Sequence, residues 1–457
     1  MTVTLSDQLV SLNPATGEPV GSVVVTAPEA ISGMVDQARK AQKAWAALTL
    51  EERGAQLKAA GEALEAKAVE IGTTLTQEMG KPLREGIGEV KSCARGMAST
   101  VDEIAAALQP VVTEDKRTKS HVFYDAFGVC AAIAPWNFPV AMPHSLVIPA
   151  LMAGNAVILK PSEETPLSAQ AYADVLNEFL PAGVLTVVHG ADEQGKALVN
   201  ADVDLIAFTG SRETGKKILE NASRDLKRVV LELGGKDPMI VLDDANLEEA
   251  AKFAVMNSFR NAGQVCVSTE RIYVDERVAT EFENLMKTMT ENLKQGDGQE
   301  EGTQIGPMIN DRQRAHVLKQ LELAKNEGAR VVTGSDAHPE RFIVPTILSD
   351  LNPAMAIMRD ETFGPIACVV RYQSEEDAVR QANDTPFGLG AAVFGEEEHA
   401  LKVARHLDAG MIGVNKSCGG ASGTPWVGAK ESGYGYHGSD EGHRQFAQVR
   451  VVSVPKG

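Results

Sequence analysis

The segment DLIAFTGSRETGKKILENASRDLKRVVLELGG, residues 204–235, contains two apolar runs separated by a segment with helical composition. The first run is DLIAFTG at 204–210 and the second is RVVLELGG at 228–235, and both are rich in branched apolar residues. Strands that are apolar on both faces are typical of a parallel sheet, because helices cover both of its sides. The segment therefore predicts a strand–helix–strand unit of an α/β fold.

The same alternation extends in both directions from this unit. Residues from about 27 to 108 have the periodicity of amphipathic helices. A chain of 457 residues is too long for one core, so we expect two α/β domains. The further apolar runs are AVILK (156–160), VLTVVHG (184–190), PMIVLDD (238–244), RIYVDE (271–276), ACVVRY (367–372) and MIGVN (411–415).

Two β-prone segments lie outside both α/β runs. They are SHVFYD at 120–125 and VRVVSVP at 449–455. A short terminal segment could not bury the apolar residues of VRVVSVP by itself. We therefore expect the two segments to form an outlying sheet that pairs between subunits. The sequence thus predicts a homodimer or a homotetramer.

Composition excludes several classes of partner. The formal net charge of -18 disfavours nucleic acid and anionic membranes, because phosphate surfaces attract an excess of Lys and Arg. The first residues lack the basic start and apolar run of a signal peptide. No uncharged stretch approaches the roughly 18–20 residues that span a bilayer. We therefore expect a cytoplasmic protein without nucleic-acid or membrane partners.

The cysteines are scattered singly and include no Cys-x-x-Cys pair. This pattern fits neither a disulfide framework nor a zinc site, so no metal is expected. Cys266 has a distinctive context, whereas the others are interpreted as packing residues. His144 is likewise interpreted as a structural histidine rather than a base. The four packing cysteines are Cys93, Cys130, Cys368 and Cys418.

Two loops predict a nucleotide site at the carboxyl edge of the first sheet. In FTGSRETGKKI (208–218), Gly210, Ser211 and Gly215 lead from a strand into a helix, whose N-terminus favours a pyrophosphate. In LKPSEETP (159–166), Lys160 and Glu163 follow a strand and could bind the hydroxyls of a ribose. Taken separately, the first feature is more often only a helix cap and turn, and the second is usually a pair of solvated loop charges.

Three further residues indicate carbonyl chemistry. Glu232 ends an apolar strand in LELGGKDP, where burial would raise its pKa toward that of a general base. Cys266 follows Gly263 in FRNAGQVCVS and is a candidate nucleophile. Asn137 in APWNFP could donate to an oxyanion, although a buried asparagine is often only structural.

Together these segments resemble the aldehyde dehydrogenase superfamily from about residue 10 to the end of the chain. Glu232 and Cys266 are 34 positions apart, as the base and nucleophile of the family usually are. The resemblance implies a Rossmann-like cofactor domain, an α/β catalytic domain and a small oligomerisation β-sheet. The motifs that carry it, in the family's order, are PWNFP, KPSEETP, FTGS, ELGGK, GQVC, ETFGP and GAKESG.

The resemblance also implies domain limits and roles. It places the NAD(P)-binding domain at 1–115 and 127–231, the catalytic domain at 232–437 and the oligomerisation segment at 116–126 and 438–457. Cys266 would be the nucleophile, Glu232 the base that activates water and Asn137 the oxyanion donor. The cofactor-binding positions would be Ile133, Pro135, Trp136, Lys160, Ser162, Glu163, Gly210, Ser211, Thr214, Leu233, Gly234, Glu361 and Phe363.

The implied reaction is oxidation of a small-molecule aldehyde to a carboxylate through a thiohemiacetal and a thioester. Glu232 favours release by water over transfer to coenzyme A, since acylating semialdehyde members usually lack this base. Glu163 would repel a 2′-phosphate, so NAD is the expected cofactor and NADP remains possible. A CoA-acylating reductase and a non-catalytic relative are the alternatives.

Three positions bear on the substrate. Arg260 in FRNAGQ resembles a carboxylate-binding arginine of succinate-semialdehyde dehydrogenases, but it could be structural. Their second arginine corresponds to Ser145 here, and Trp426 replaces a frequent phenylalanine near the tunnel. Because one of the two arginines that would bind a substrate carboxylate is missing, we expect uncharged aliphatic or aromatic aldehydes as substrates. A semialdehyde is the alternative.

Overall fold

The structure is a computed structural model that describes residues 2–5, 7–335 and 337–456. Residues 1 and 457, the outer limits of the predicted segments, lie outside the described residues. The strands are β1 (Thr2–Leu5), β2 (Gln8–Leu12), β3 (Pro19–Val24), β4 (Val111–Glu114), β5 (Thr118–Ala126), β6 (Val129–Ile133), β7 (Ala156–Lys160), β8 (Leu185–Val187), β9 (Leu205–Thr209), β10 (Arg228–Glu232), β11 (Asp237–Val241), β12 (Thr269–Asp275), β13 (Arg330–Thr333), β14 (Thr346–Ser349), β15 (Ile366–Tyr372), β16 (Gly390–Phe394), β17 (Met411–Val414), β18 (Gly433–Tyr434) and β19 (Ala447–Pro455).

The helices lie between these strands, mostly as crossovers. They are α1 (Ile31–Ala46), α2 (Leu50–Ala66), α3 (Ala68–Met79), α4 (Leu83–Ala107), α5 (Ala141–Met152), α6 (Pro166–Asn177), α7 (Asp192–Asn200), α8 (Arg212–Ala222), α9 (Leu247–Phe259), α10 (Ala279–Glu291), α11 (Asp311–Asn326), α12 (Ala356–Arg359), α13 (Glu375–Asn383), α14 (Glu397–Ala404) and α15 (Ser439–Arg444).

The first sheet has six strands in the order β18-β10-β9-β6-β7-β8. Its strands are parallel except for β18, which is antiparallel to β10. Every residue of β6, β7 and β9 is buried, because side chains cover the sheet on both faces. Helix α8 connects β9 to β10. The strand–helix–strand unit predicted from residues 204–235 is therefore confirmed.

The second sheet has seven strands in the order β13-β14-β15-β12-β11-β16-β17. It is parallel except for the antiparallel pair β13 and β14. Strands β11, β12 and β16 are buried along their whole length. The chain passes from β10 directly to β11 through residues 233–236, so the end of the first sheet adjoins the start of the second.

The N-terminal region combines helices with a small antiparallel sheet. Helices α2 and α3 pack against the long helix α4, as the amphipathic pattern of residues 27–108 indicates. Helix α2 begins with a capping box, in which the Thr49 hydroxyl accepts from the Glu52 N–H and the Glu52 carboxylate accepts from the Thr49 N–H. Strands β1, β2 and β3 form a sheet that the sequence patterns did not predict.

A third sheet, in the order β19-β5-β4, lies outside both α/β bodies. Strand β19 pairs with β5 over the full length of both strands. Exposed valines lie on β4 and β19, so the sheet leaves an apolar surface open to solvent in the single chain. The outlying sheet predicted from SHVFYD and VRVVSVP is confirmed, whereas its pairing between subunits remains a prediction. The exposed valines are Val111, Val112, Val449, Val451, Val452 and Val454.

None of the helices within the described residues combines the length and the apolar character that a membrane-spanning segment requires.

Candidate active site

Cys266 lies half-buried in the loop between α9 and β12. The loop begins with a tight turn in which Asn261, Ala262 and Gly263 have φ angles of 53°, 55° and 71°. A side chain at Gly263 would collide with the backbone carbonyl of Gly364, so glycine is required there. Left-handed backbone at non-glycine residues is costly and often occurs at functional sites. This turn sets the position of the Cys266 sulfur.

Glu232 is the last residue of β10 and is 5 % exposed. Its Oε1 lies 3.8 Å from the Cys266 sulfur and accepts a hydrogen bond of 2.8 Å from the Trp426 indole N–H. Its Oε2 accepts from the Thr209 hydroxyl at 3.0 Å. Burial raises the pKa of the Glu232 carboxyl, and these hydrogen bonds partly oppose that rise. The structure thus brings the predicted base and the predicted nucleophile together.

Asn137 is buried in the turn after β6, and its side chain lies against the Cys266 loop. Its Nδ2 donates to the backbone carbonyl of Gln264 at 3.1 Å. Its own backbone carbonyl accepts from Lys81 Nζ at 2.9 Å and from Asn261 Nδ2 at 3.3 Å. An amide nitrogen carries two N–H groups, so one remains for an oxyanion.

The Cys266 thiol is protonated at neutral pH. Burial raises its pKa well above the ordinary value, and the adjacent Glu232 carboxylate raises the pKa further. A thiolate is the reactive form of cysteine, so the sulfur must give up its proton before it attacks a carbonyl carbon. The Glu232 oxygen at 3.8 Å is in position to accept that proton.

The predicted ribose-binding residues lie just past the end of β7. Lys160 is buried and its ammonium donates to the Pro161 carbonyl at 3.0 Å. Glu163 Oε2 lies 3.9 Å from the same ammonium, and Ser162 is buried between them with its hydroxyl accepting from the Glu164 N–H. Burial lowers the pKa of Lys160. Lys160 and Glu163 therefore form a polar pair on the sheet edge rather than two separate solvated charges.

The predicted pyrophosphate site is the N-terminus of α8. Ser211 caps this helix, because its hydroxyl accepts from the Thr214 N–H at 3.3 Å. Gly210 precedes the cap at the end of β9. A Cβ at Gly215 would lie 2.5 Å from a methyl group of Leu233, so the helix approaches the end of β10 closely. The geometry of this segment is compatible with both interpretations, namely that it is only a helix cap and that it binds a pyrophosphate.

The predicted nicotinamide side lies between β6 and the loop before β15. Glu361 accepts from the Gly235 N–H at 3.0 Å, and a side chain at Gly234 would collide with its carboxylate. Burial raises the pKa of Glu361 to about 8. The Trp136 and Phe363 rings meet edge to face with centroids 5.4 Å apart. Nearby along the chain, Ile133 ends β6 and Pro135 follows in the loop.

Comparison with known proteins identifies the family. A sequence profile described as the aldehyde dehydrogenase family matches residues 3–452 of this chain. This chain belongs to the aldehyde dehydrogenase family. The resemblance noted in the sequence is thereby confirmed, and the protein is an NAD(P)-dependent aldehyde dehydrogenase.

Curated relatives match along nearly the whole aldehyde dehydrogenase. Glutarate-semialdehyde dehydrogenase of Pseudomonas putida is 38% identical over 449 residues, 97% of this chain and 93% of that protein. Succinate-semialdehyde dehydrogenase [NADP(+)] of Escherichia coli is 37% identical over 451 residues, 97% of this chain and 93% of that protein. A peroxisomal aminoaldehyde dehydrogenase of Malus domestica is 37% identical over 467 residues, 98% of this chain and 93% of that protein.

Solved structures confirm the predicted fold. An aldehyde dehydrogenase from Brucella melitensis biovar abortus superposes with a TM-score of 0.95 at 34% identity, covering 100% of this chain and 96% of the other. An NAD-dependent aldehyde dehydrogenase from Sinorhizobium meliloti gives 0.94 at 31% identity, covering 98% and 91%. The relatives and neighbours include both NAD-dependent and NADP-dependent enzymes, so the cofactor preference needs a separate argument.

Of the predicted substrate residues of this aldehyde dehydrogenase, Arg260 contacts the Asn137 turn and Ser145 lies on the helix that follows it. Arg260 is half-exposed, pairs with Glu85 at 3.3 Å and lies over the Phe138 ring at 5.5 Å from the centroid. Ser145 on α5 donates to the Met142 carbonyl at 2.9 Å. Trp426 instead reaches the Glu232 carboxylate, a contact that the sequence did not predict.

A buried ion pair behind the Asn137 turn is also absent from the sequence predictions. Lys81 and Glu89 are nearly inaccessible and their charged atoms lie 2.6 Å apart. The Glu89 Oε1 accepts from the N–H groups of Val140 and Ala141 at 3.0 Å each, where α5 begins. The pair therefore anchors the turn from behind. A lysine between glycine and proline in EMGKPL was the only sequence signal, and it does not specify a partner.

The other cysteines and His144 have surroundings typical of packing residues, and Cys266 itself packs against the cluster that contains Cys418. Cys93, Cys130, Cys368 and Cys418 are buried in apolar clusters. The His144 ring meets the Tyr172 hydroxyl at 3.3 Å, and burial lowers its pKa to about 4. Their interpretation as packing residues agrees with these positions.

Proposed function

We propose that this aldehyde dehydrogenase oxidises its substrate to a carboxylate through a thioester on Cys266. The observation that carries the proposal is the buried Glu232 carboxylate 3.8 Å from the Cys266 sulfur, with the Asn137 amide bonded to the Gln264 carbonyl of the same loop. A nucleophile, a base within reach and an oxyanion donor are the parts that acyl transfer needs. Detection of the acyl group on residue 266 by mass spectrometry tests it.

In the first half of the reaction the Cys266 thiol gives its proton to Glu232. The sulfur bonds to the carbonyl carbon, and the negative charge that develops on the carbonyl oxygen is stabilised by the remaining Asn137 N–H and the Cys266 backbone N–H. Bound NAD(P)+ supplies the hydride acceptor, after which the acyl group remains attached to the sulfur as a thioester. Glu232 then releases its proton to solvent.

In the second half Glu232 accepts a proton from a water molecule. The water oxygen bonds to the thioester carbon, the carbon–sulfur bond breaks and the carboxylic acid leaves. The Cys266 thiolate recovers a proton through Glu232. Because a base for water is present, we favour hydrolysis over transfer of the acyl group to coenzyme A.

The described residues fit a dinucleotide. Gly210 and Gly234 follow the ends of β9 and β10, and Gly215 lies near the start of α8. An added Cβ atom at any of the three would collide with neighbouring groups. The Lys160 ammonium has three N–H groups, of which one is used by the Pro161 carbonyl. We propose that Lys160 and Glu163 bind the adenosine ribose, and that Glu361 binds the nicotinamide ribose.

We expect NAD to be used with a higher kcat/KM than NADP, because the Glu163 carboxylate repels a 2′-phosphate. Glu163→Gln keeps the shape and removes the charge, so the ratio of the two kcat/KM values should fall by about tenfold, or about 1.4 kcal/mol. Steady-state assays with both cofactors measure this ratio. Glu248→Gln, on the exposed first turn of α9, is the control and should leave it unchanged. A strong NADP preference of the wild type would refute the argument.

For the substrate we propose an uncharged aliphatic or aromatic aldehyde. The Arg260 guanidinium is already paired with Glu85, and Ser145 provides no cation. A semialdehyde is the second candidate, because curated relatives act on glutarate and succinate semialdehyde. The Arg260 cation also lies over the ring of Phe138, the residue that follows Asn137.

An aldehyde panel should separate the two candidates. We expect hexanal and benzaldehyde to have kcat/KM values at least about tenfold above those of succinate and glutarate semialdehyde. The carboxylate of a semialdehyde would lack one charge-assisted contact, which is worth about 1.5–3 kcal/mol. Ser145→Arg should raise the semialdehyde values relative to hexanal, whereas Ser145→Met should not. A wild type that prefers the semialdehydes would reverse the ranking and favour the second candidate.

We further propose that the exposed valine surface of β19 and β4 pairs with a second copy, giving a homodimer or a homotetramer. Strand β19 is an edge strand with exposed apolar residues, which are normally covered in assemblies. We also retain the division into a cofactor domain (1–115 and 127–231), a catalytic domain (232–437) and an oligomerisation segment (116–126 and 438–457) as a proposal.

A further inference from the structure

The Trp426 side chain contacts the Glu232 oxygen that faces the sulfur. The indole Nε1 donates to Oε1 at 2.8 Å, and the Cys266 sulfur lies 3.8 Å from the same oxygen. An indole N–H can only donate, so it favours the ionised carboxylate over the neutral acid. The two residues are 194 positions apart in the sequence, so this contact is a product of the tertiary fold.

The Trp426 ring is itself held in place. Its backbone N–H donates to the His437 carbonyl at 2.8 Å, and its ring stacks on the His437 ring with an interplanar angle of 15° and centroids 6.5 Å apart. It packs on the buried side chains of Leu389, Met411 and Cys418. Because backbone and ring are both fixed, the N–H direction is fixed as well.

The ionisable groups around Glu232 and the adjacent Cys266 sulfur explain why this donor matters. Cys266 and Cys418 are thiols with raised pKa values, while Glu361 and Asp237 are acids whose burial also raises their pKa. Burial and the neighbouring His443 lower the pKa of His437 to about 4, so the imidazole against the Trp426 ring is neutral. The causes that lower the pKa of the Glu232 carboxyl are hydrogen bonds from Trp426, Thr209 and Cys266. These neutral donors, rather than a cation, stabilise the charge on the base.

We propose that Trp426 is a positioning residue for the base: its indole N–H holds Glu232 Oε1 beside the Cys266 sulfur and keeps the carboxylate ionised near neutral pH. This role differs from the substrate contact expected from the sequence, and it rests on the proposed function of Glu232. The Thr209 hydroxyl fixes the other oxygen at 3.0 Å, so the two donors together set the carboxylate plane.

Trp426→Phe tests the inference because it keeps an aromatic ring and removes the N–H. A base works only when ionised, and loss of the donor raises its pKa, so the acid limb of the kcat profile should move to higher pH. A hydrogen bond to a charged group corresponds to a shift of about one pH unit. The measurement is steady-state kcat from pH 5 to 10 with saturating hexanal and NAD. Trp426→Leu provides a second replacement without an N–H and should show the same direction of shift.

Trp45→Phe is the matched control. Trp45 is buried and its indole N–H donates to the Leu151 carbonyl at 2.9 Å, in the core between α1 and α5. This variant loses a buried indole hydrogen bond elsewhere, so it should lower the melting temperature and leave the acid limb at the wild-type pH. A merely structural role for Trp426 predicts the same behaviour in both variants.

Glu232→Gln separates the two levels of the proposal. If Glu232→Gln stops turnover and Trp426→Phe shifts the acid limb, both are supported. If Glu232→Gln stops turnover while folded Trp426→Phe and Trp426→Leu keep the wild-type acid limb, the role of Trp426 is refuted and the base assignment stands. If Glu232→Gln turns over normally, the base assignment fails first and the role of Trp426 fails with it.

Discussion

Glu232→Gln is expected to release about one reduced cofactor per site and then to stop. Glutamine has the shape of glutamate: its oxygen can accept from the Trp426 indole N–H while its NH2 group donates to the Thr209 hydroxyl. It cannot take a proton from water. General-base catalysis typically contributes about 100- to 10,000-fold, so steady-state kcat should fall by at least about 100-fold. Rapid mixing with absorbance of the reduced nicotinamide measures the burst and the steady state in one trace.

The pH dependence of the burst adds a second expectation. Glu232→Gln removes the acceptor of the thiol proton, while burial still raises the pKa of Cys266. The burst of this variant should therefore be slow at neutral pH and accelerate as pH rises. Glu248→Gln, on the surface of α9, should behave as wild type in both phases. An undiminished steady-state rate in Glu232→Gln would rule out the role of Glu232 as base.

Asn137→Asp is expected to lower kcat by about 100- to 1000-fold, the usual cost of losing one oxyanion donor. A carboxylate of the same size cannot donate, and its charge repels the oxygen that becomes negative in the transition state. The loss should occur in the burst as well as in the steady state, because thiohemiacetal formation precedes both. Single-turnover kinetics with saturating aldehyde and NAD measure it.

A second substitution at Asn137 provides the comparison for Asn137→Asp. Asn137→Ser keeps a small donor and should retain more burst rate than Asn137→Asp. Both variants keep the Lys81 contact with the backbone carbonyl of residue 137 but lose the donation from Asn137 Nδ2 to the Gln264 carbonyl, so both should melt below the wild type. Their burst rates are therefore compared at a temperature at which both are folded. A burst rate of Asn137→Asp within threefold of wild type would contradict the oxyanion role.

Strongly apolar strands could be placed from the sequence, whereas small-residue strands could not. The run AVILK coincides with β7, and DLIAFTG differs from β9 by one residue at each end. Strands β6 (VCAAI) and β16 (GAAVF) were missed, although each is buried along its whole length. Alanine and glycine have low strand propensity, so burial within the assembled sheet decides these segments.

For the site, motif spacing predicted positions on the chain but not the contacts that orient them. Glu232 and Cys266 were paired from their motifs, and the structure places their side chains 3.8 Å apart. The indole of Trp426 reaches Glu232 from 194 residues away, and Lys81 reaches the Asn137 carbonyl from 56 residues away. Such contacts depend on how the two sheets and the helices pack, and no local pattern encodes them.

The most direct test of the covalent mechanism is the intact mass of the enzyme during turnover. Glu232→Gln enzyme is mixed with hexanal and NAD, quenched in acid and weighed, and the peptide containing residue 266 is then sequenced by mass spectrometry. The mechanism predicts added mass equal to one hexanoyl group on Cys266 and none in Cys266→Ser. Wild-type turnover by Cys266→Ser, or an acyl group on any other residue, would contradict it.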